Sequence, residues 1–122
     1  MDARTIGRLI ALGRVAIGAA LIAAPEKIGE RWVGGEARGR GTQVILAAVG
    51  ARDLALGLGT AWALGGGERA RPWLLASMAA DTTDLVASLR HRDALTPTAL
   101  AGVVVLAGGS AALGAWIQSA VE

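Results

Sequence analysis

The stretch ALTPTALAGVVVLAGGSAALGAWIQSAV, residues 94–121, decides the fold. It holds no charged residue and is longer than the roughly 20 residues that a bilayer core requires of a helix. A membrane-spanning helix is therefore expected, over residues 96–119. Thr96 supplies a capping hydroxyl at its start. Pro97 follows at the first helical position, where its missing N–H leaves nothing unsatisfied.

Working back along the chain, further apolar segments give helices over residues 72–89, 43–64 and 5–24. Pro25 closes the first of them. The Gly65-Gly66-Gly67 run ends the second and lets the chain reverse before Arg71-Pro72 opens the third. The expected fold is thus all-α, a four-transmembrane-helix bundle forming one integral membrane domain over residues 1–122. The first apolar stretch runs into Pro25-Glu26-Lys27 without a small-residue cleavage pattern, so it reads as a retained helix rather than a signal peptide. The link over residues 25–42, with glycines at 29, 34, 35, 39 and 41, is expected to lie on the membrane surface. Trp32 would anchor it there, with Trp62, Trp73 and Trp116 at the opposite face.

Composition points the same way. Hydrophobic residues make up 53% of the chain, and Phe, Tyr and Cys are absent, so packing must come from close backbone approach rather than aromatic bulk. Small residues recur at helical spacing as Ala51, Ala55, Gly59 and Ala63, and again as Gly102 and Gly109. These mark helix contact faces, expected to serve packing within the chain, with a homodimer seam as the other use. A soluble helical bundle is the competing class, because the first and third helices carry charges that make them poor spans alone.

No metal site or cofactor is expected. Without Cys there is no thiolate ligand, and the single histidine, His91, falls in the Arg90-His91-Arg92-Asp93 connection and reads as a solvated loop residue. The glycines of residues 34–41 follow no strand and lack the lysine ending of a phosphate loop, so they read as a linker. Basic residues are scattered, and the formal charge is only +2, which excludes a nucleic-acid surface. Arg4, Arg8, Arg69 and Arg71 flank one side of the layout, and Lys27, Arg31, Arg38, Arg40, Arg90 and Arg92 the other. The slight excess favours the long first link on the cytoplasmic side and also permits dual topology.

Charges nevertheless occur inside the expected helices, and at their midpoints. With roughly 20-residue spans, the centres fall at about residues 14, 53 and 80, which are the positions of Arg14, Arg52, Asp53 and Asp81. Asp84 lies one turn beyond Asp81, and Ser77 and Ser88 extend the same face as a polar stripe that must face protein. Each such charge costs ~2.5–3.5 kcal/mol at the bilayer centre, so the third helix should insert poorly without partners. Adjacent residues point about 100° apart, so Arg52 and Asp53 should address different neighbours: Asp53 with Arg14, and Arg52 with Asp81 or Asp84. Two arginines against three aspartates leave one carboxylate uncompensated, and one aspartate is expected to hold a proton.

The run Gly50-Ala51-Arg52-Asp53-Leu54-Ala55-Leu56-Gly57, followed by an aspartate-bearing third helix, resembles a family of small four-helix bacterial membrane proteins of unknown function. The resemblance covers most of the chain. It implies the four-helix topology and marks Arg52 and Asp53 as characteristic, and it brings no activity with it. In size and helix count the chain is also similar to the small multidrug exporters. Those place an essential carboxylate in the first helix, where this chain has Arg14.

These residues lead to a functional expectation. An intramembrane pocket in the cell membrane would bind a small lipophilic molecule and perform acid–base chemistry on it, such as epoxide opening, isomerisation or cyclisation. Asp53, Asp81 and Asp84 are the catalytic candidates, and Arg14, Arg52, Ser77 and Ser88 are expected to bind substrate. Carbocation chemistry fits less well, because the only aromatics are four Trp near the helix ends. A dimeric proton-coupled transporter is the second reading, and a non-catalytic scaffold whose ion pairs only fix register is the third.

Overall fold

A computed structural model describes residues 1–67 and 69–121, and every regular element among them is helical. The order is α1 (Ala3–Ala23), α2 (Pro25–Val33), a 3-10 turn (Gly34–Arg38), α3 (Arg40–Leu64), α4 (Arg71–Arg90), a second 3-10 turn (Arg92–Ala94) and α5 (Pro97–Val121).

The ends of these helices follow from local chemistry. Asp2 caps α1 by accepting from the Thr5 N–H at 2.8 Å. At the far end Ala24, immediately before Pro25, leaves the helical region with φ −142°, as a residue preceding proline tends to do. Pro25 then serves as the first residue of α2. The glycine run closes α3: Gly66 takes φ +99°, and the N–H groups of Gly65, Gly66 and Gly67 return to the carbonyls of Ala61, Ala63 and Trp62. Thr96 caps α5 as expected, accepting from the Ala99 N–H at 3.1 Å. It also donates to the Arg31 carbonyl at 3.0 Å, which ties the start of α5 to the end of α2.

The long helices agree with expectation to within three residues at every boundary. The link over residues 25–42 does not. Pro25 ends one helix, but it begins another, because a proline at the first helical position leaves no hydrogen bond unmade. α2 lays Ile28, Trp32 and Val33 over Leu21, Ala37 and Leu46. Gly29 lies so close to the Leu46 side chain that a Cβ would collide with it. Trp32 is therefore a packing residue, and its indole N–H is enclosed with no hydrogen-bond partner among the described residues. An interfacial anchor would keep that N–H wet.

α1, α3 and α5 are each long and apolar enough to cross a membrane. α1 passes in spite of Arg14, because a single charge is offset by the apolar residues around it. α4 does not pass: Asp81, Asp84 and its hydroxyl residues lower its hydropathy.

Neighbouring long helices run antiparallel. α1 packs most extensively on α3 and α4 on α5, with lighter contact between α1 and α5 and between α3 and α4. The α1–α3 seam is backbone on backbone. A Cβ at Gly18 would lie 2.5 Å from the Gly50 carbonyl oxygen, and one at Gly57 would lie 2.7 Å from that of Ala11. One apolar cluster, built on Ala63, Leu64, Ala70, Leu74 and Ile117, fills one end of the bundle. The cluster beneath α2 fills the other.

Candidate functional site

Between the two apolar clusters, the central turns of α1, α3 and α4 bring together all five charges that the sequence placed at mid-helix. They form one continuous chain in which carboxylate and guanidinium alternate: Asp81, Arg14, Asp53, Arg52, Asp84. Arg14 Nη2 donates to both oxygens of Asp81, at 2.6 and 2.5 Å, and its Nη1 donates to Asp53 Oδ1 at 3.2 Å. Arg52 grips Asp84 with a two-pronged fork, Nη1 to Oδ1 at 2.9 Å and Nη2 to Oδ2 at 2.7 Å. Its Nε and Nη2 also reach Asp53 Oδ1, at 3.3 and 3.1 Å.

Two of the expected pairs are present, Arg14 with Asp53 and Arg52 with Asp84. Arg52 and Asp53 do address different neighbours, but they also pair with each other, which was not expected. The 100° rule fixes where the Cβ atoms point, whereas the guanidinium lies several bonds farther out and can swing back over its neighbour. The Arg14–Asp81 pair joins α1 to α4, two helices that otherwise barely touch, so it crosses the middle of the bundle.

Burial is graded along this chain. The side chains of Asp81, Arg14 and Asp53 are 8%, 12% and 13% exposed, whereas Arg52 and Asp84 at the α3–α4 edge are 31% and 25% exposed. At the inner end, Arg14 and Asp81 border a cavity of about 30 Å³, room enough for water. Hydroxyls of Thr60, Ser77 and Ser110 line it, and the Thr60 and Ser77 oxygens lie 3.4 Å apart. The remaining wall is apolar, from α1, α4 and α5.

Ser77 thus joins the site as the stripe suggested. Ser88 is buried in α4 but lines no part of the cavity. Thr60 and Ser110 were missed, although a signal existed for both. Thr60 follows Asp53 by seven residues, which returns it to the same helical face. Ser110 is the one hydroxyl residue between positions 99 and 118. His91 lies exposed at the end of α4, away from the cluster.

Removing two ions from water is favourable only when geometry and hydrogen bonding are good, and here each arginine is engaged by two carboxylates. The whole cluster still carries one carboxylate more than its guanidiniums can neutralise. Chemically, such an arrangement can hold a proton, pass it to water in the cavity, or exchange it for another cation. Compared with protein-family models, curated proteins and solved structures, the chain matches none, so the reading of this site rests on its own chemistry.

Proposed function

We propose that this chain is a multi-pass integral protein of the cell membrane, with α1, α3, α4 and α5 all crossing it, and that the ion chain carries a proton exchanged for a small cationic molecule. The observation that carries this reading is the odd, alternating chain of five charges held between α4 and two helices, α1 and α3, that are apolar enough to span. α4 enters the bilayer because Arg14 and Arg52 occupy its two carboxylates, which offsets the ~2.5–3.5 kcal/mol that each would cost alone.

Asp81 is the natural port for the proton. It borders the cavity, and the hydroxyls of Thr60, Ser77 and Ser110 offer both donors and acceptors there. A proton on Asp81 removes the charge that holds Arg14 across the bundle. Arg14 keeps Asp53, and α4 loses its tie to α1. Proton binding is thereby linked to the loosening of α4 from α1, while Arg52–Asp84 still holds α4 to α3. A substrate that displaces the proton must bring positive charge to the same carboxylates. The space beside Asp81 is about 30 Å³, room for water and a proton, so the cation reaches these carboxylates only once protonation has loosened α4 from α1.

The test is proton release on addition of a lipophilic cation. Purified protein in mild, weakly buffered detergent with a pH indicator is titrated with tetraphenylphosphonium. Wild type should release about one proton per cation bound, and Asp81→Asn and Asp84→Asn together should abolish the release. No release from the wild type, or equal release from the double variant, would sink the reading.

A further inference from the structure

Arg52 and Asp84 form the outermost pair of the ion chain. They sit near the centres of α3 and α4 yet keep about a third and a quarter of their side-chain surface uncovered. If α3 and α4 cross the membrane, that surface faces the hydrocarbon at its deepest level, where ionised groups are least tolerated. Something must cover it.

The surrounding surface has an unusual texture. Between residues 46 and 57, the exposed residues of α3 are Ala48, Ala51 and Ala55 alone, all within about 100° of Arg52 around the helix. Between residues 76 and 85, α4 exposes only alanine and threonine. The Thr83 hydroxyl is satisfied by its own helix, donating to the Ala79 carbonyl at 2.8 Å. By contrast, the outer face of α5 about one turn away shows Val104, Val105 and Leu106, the large aliphatics suited to lipid. α3 is therefore small on two faces. Gly50 and Gly57 seat α1 by close backbone contact. Ala48, Ala51 and Ala55 form a second small surface, which is exposed.

We infer that the α3–α4 face is the interface with a second copy of this chain, in which the exposed Arg52–Asp84 pairs of the two copies meet and cover each other. An opposite-charge pair is complementary to its own twofold image, Arg52 against the partner's Asp84 and the reverse, which is what an isologous contact requires. The depth matches for a parallel copy, and to within about one turn for an antiparallel one, because Arg52 lies at the middle of α3 and Asp84 about one turn past the middle of α4. A lipid headgroup does not reach that depth. The inference rests on the reading that α3 and α4 span the membrane, and it is independent of proton carriage.

The chain has no cysteine, so single cysteines can be introduced without interference. Ala51→Cys, Ala55→Cys and, as a control on the lipid-like face, Val105→Cys are oxidised in native membranes, and the disulfide-linked dimer is quantified. Ala51→Cys and Ala55→Cys should cross-link about tenfold more than Val105→Cys. Adding Ala55→Leu to Ala51→Cys should lower that yield about tenfold, a loss of ~1.4 kcal/mol, while the exposed position leaves the fold intact. Protein retained in the membrane whose Ala51→Cys and Ala55→Cys forms cross-link no better than Val105→Cys overturns the interface alone. Protein recovered in the soluble fraction overturns the spanning reading and this inference with it.

Discussion

α3 meets two neighbours in opposite ways. Against α1 the contact is extensive and largely backbone on backbone, through Gly18, Gly50 and Gly57, with the single Arg14–Asp53 pair at its middle. Against α4 the contact is light, and the gap is bridged by the long arm of Arg52 reaching for Asp84, while Arg14 reaches past it from α1 to Asp81. A backbone contact is stiff because neither partner can move aside. An ionic bridge depends on the charge state of its ends. The comparison separates a permanent seam from a conditional one, and it places the conditional seam beside the cavity and beside the face proposed for the second copy.

The largest expected effect comes from breaking the conditional seam at its hub. Arg14→Met leaves Asp81 without its only ion-pair partner among the described residues and leaves Asp53 with Arg52 alone. Leaving a buried charge unpaired costs roughly 3–5 kcal/mol. Thermal unfolding in detergent should show a loss of that size, and Asp81→Asn should restore a large part of it by removing the orphaned charge. Arg52→Met should cost less, since Asp84 is partly exposed and Asp53 keeps Arg14. An Arg14→Met protein as stable as wild type would show that the bridge carries no weight.

Next come the glycines. A Cβ at Gly50 would lie 2.7 Å from the Gly18 carbonyl oxygen, an atom that moves only if the helix moves. Gly50→Ala should destabilise toward the upper end of the roughly 1–3 kcal/mol typical of overpacking. At Gly59, on the α4 side, the obstacle is the Trp73 ring, which packs against the cluster of Ala63, Leu64 and Leu74, so Gly59→Ala should destabilise as well. Gly102 and Gly109 have nothing within 4 Å of a built Cβ. Alanine there should be neutral, or stabilising by up to about 1 kcal/mol through helix propensity. Equal losses at Gly50 and Gly102 would erase the distinction between the seams.

Most of this comparison could be read from the sequence, and the part that could not has a physical reason. The long helices were legible because apolar length, proline and glycine act locally. The charge cluster was legible because Arg14, Arg52, Asp53 and Asp81 sit at helix centres, and depth is a one-dimensional property. Partner choice was only half legible, since it depends on where a flexible arginine ends rather than where it starts. The small residues of α3 were half legible: Gly59 and Ala63 do pack within the chain, against Trp73 and in the apolar cluster. Ala51 and Ala55 were expected to pack within the chain, yet they point outward, and the α1 seam uses Gly50 and Gly57 instead. A single helix shows that it has small faces, not which face its own chain will take. α2 was missed because Pro25 was read only as an end.

A smaller effect should come from the hydroxyls of the cavity. Thr60→Val keeps the shape and removes the 3.4 Å contact with Ser77. A bond this long sits at the weak end of the range, so the loss should be about 0.5 kcal/mol in the same unfolding assay. Its functional consequence should be larger than its structural one. If Asp81 exchanges its proton through the cavity, Thr60→Val and Ser110→Ala should slow proton release on cation addition without changing how many protons leave. Unchanged kinetics in both would separate the cavity from the proton path.

The smallest effect belongs to a position that touches neither seam. Asp2 is fully exposed, and the hydrogen bond it accepts from the Thr5 N–H holds its carboxylate below the usual aspartate range. A group whose value is depressed on folding contributes stability that is fully present above the ordinary range and is lost as pH falls through the depressed value. The first turn of α1 should therefore hold at neutral pH and fray only in acid. Asp2→Ala should fray it at all pH values, because the orphan N–H groups at the start of the helix lose their cap. The fraying should stop short of the α1–α3 seam, since its backbone contacts begin at Ala11, more than two turns away. Amide exchange residue by residue checks this: faster exchange confined to the first turn fits a stiff seam, whereas faster exchange reaching Gly18 would mean that the seam depends on the cap.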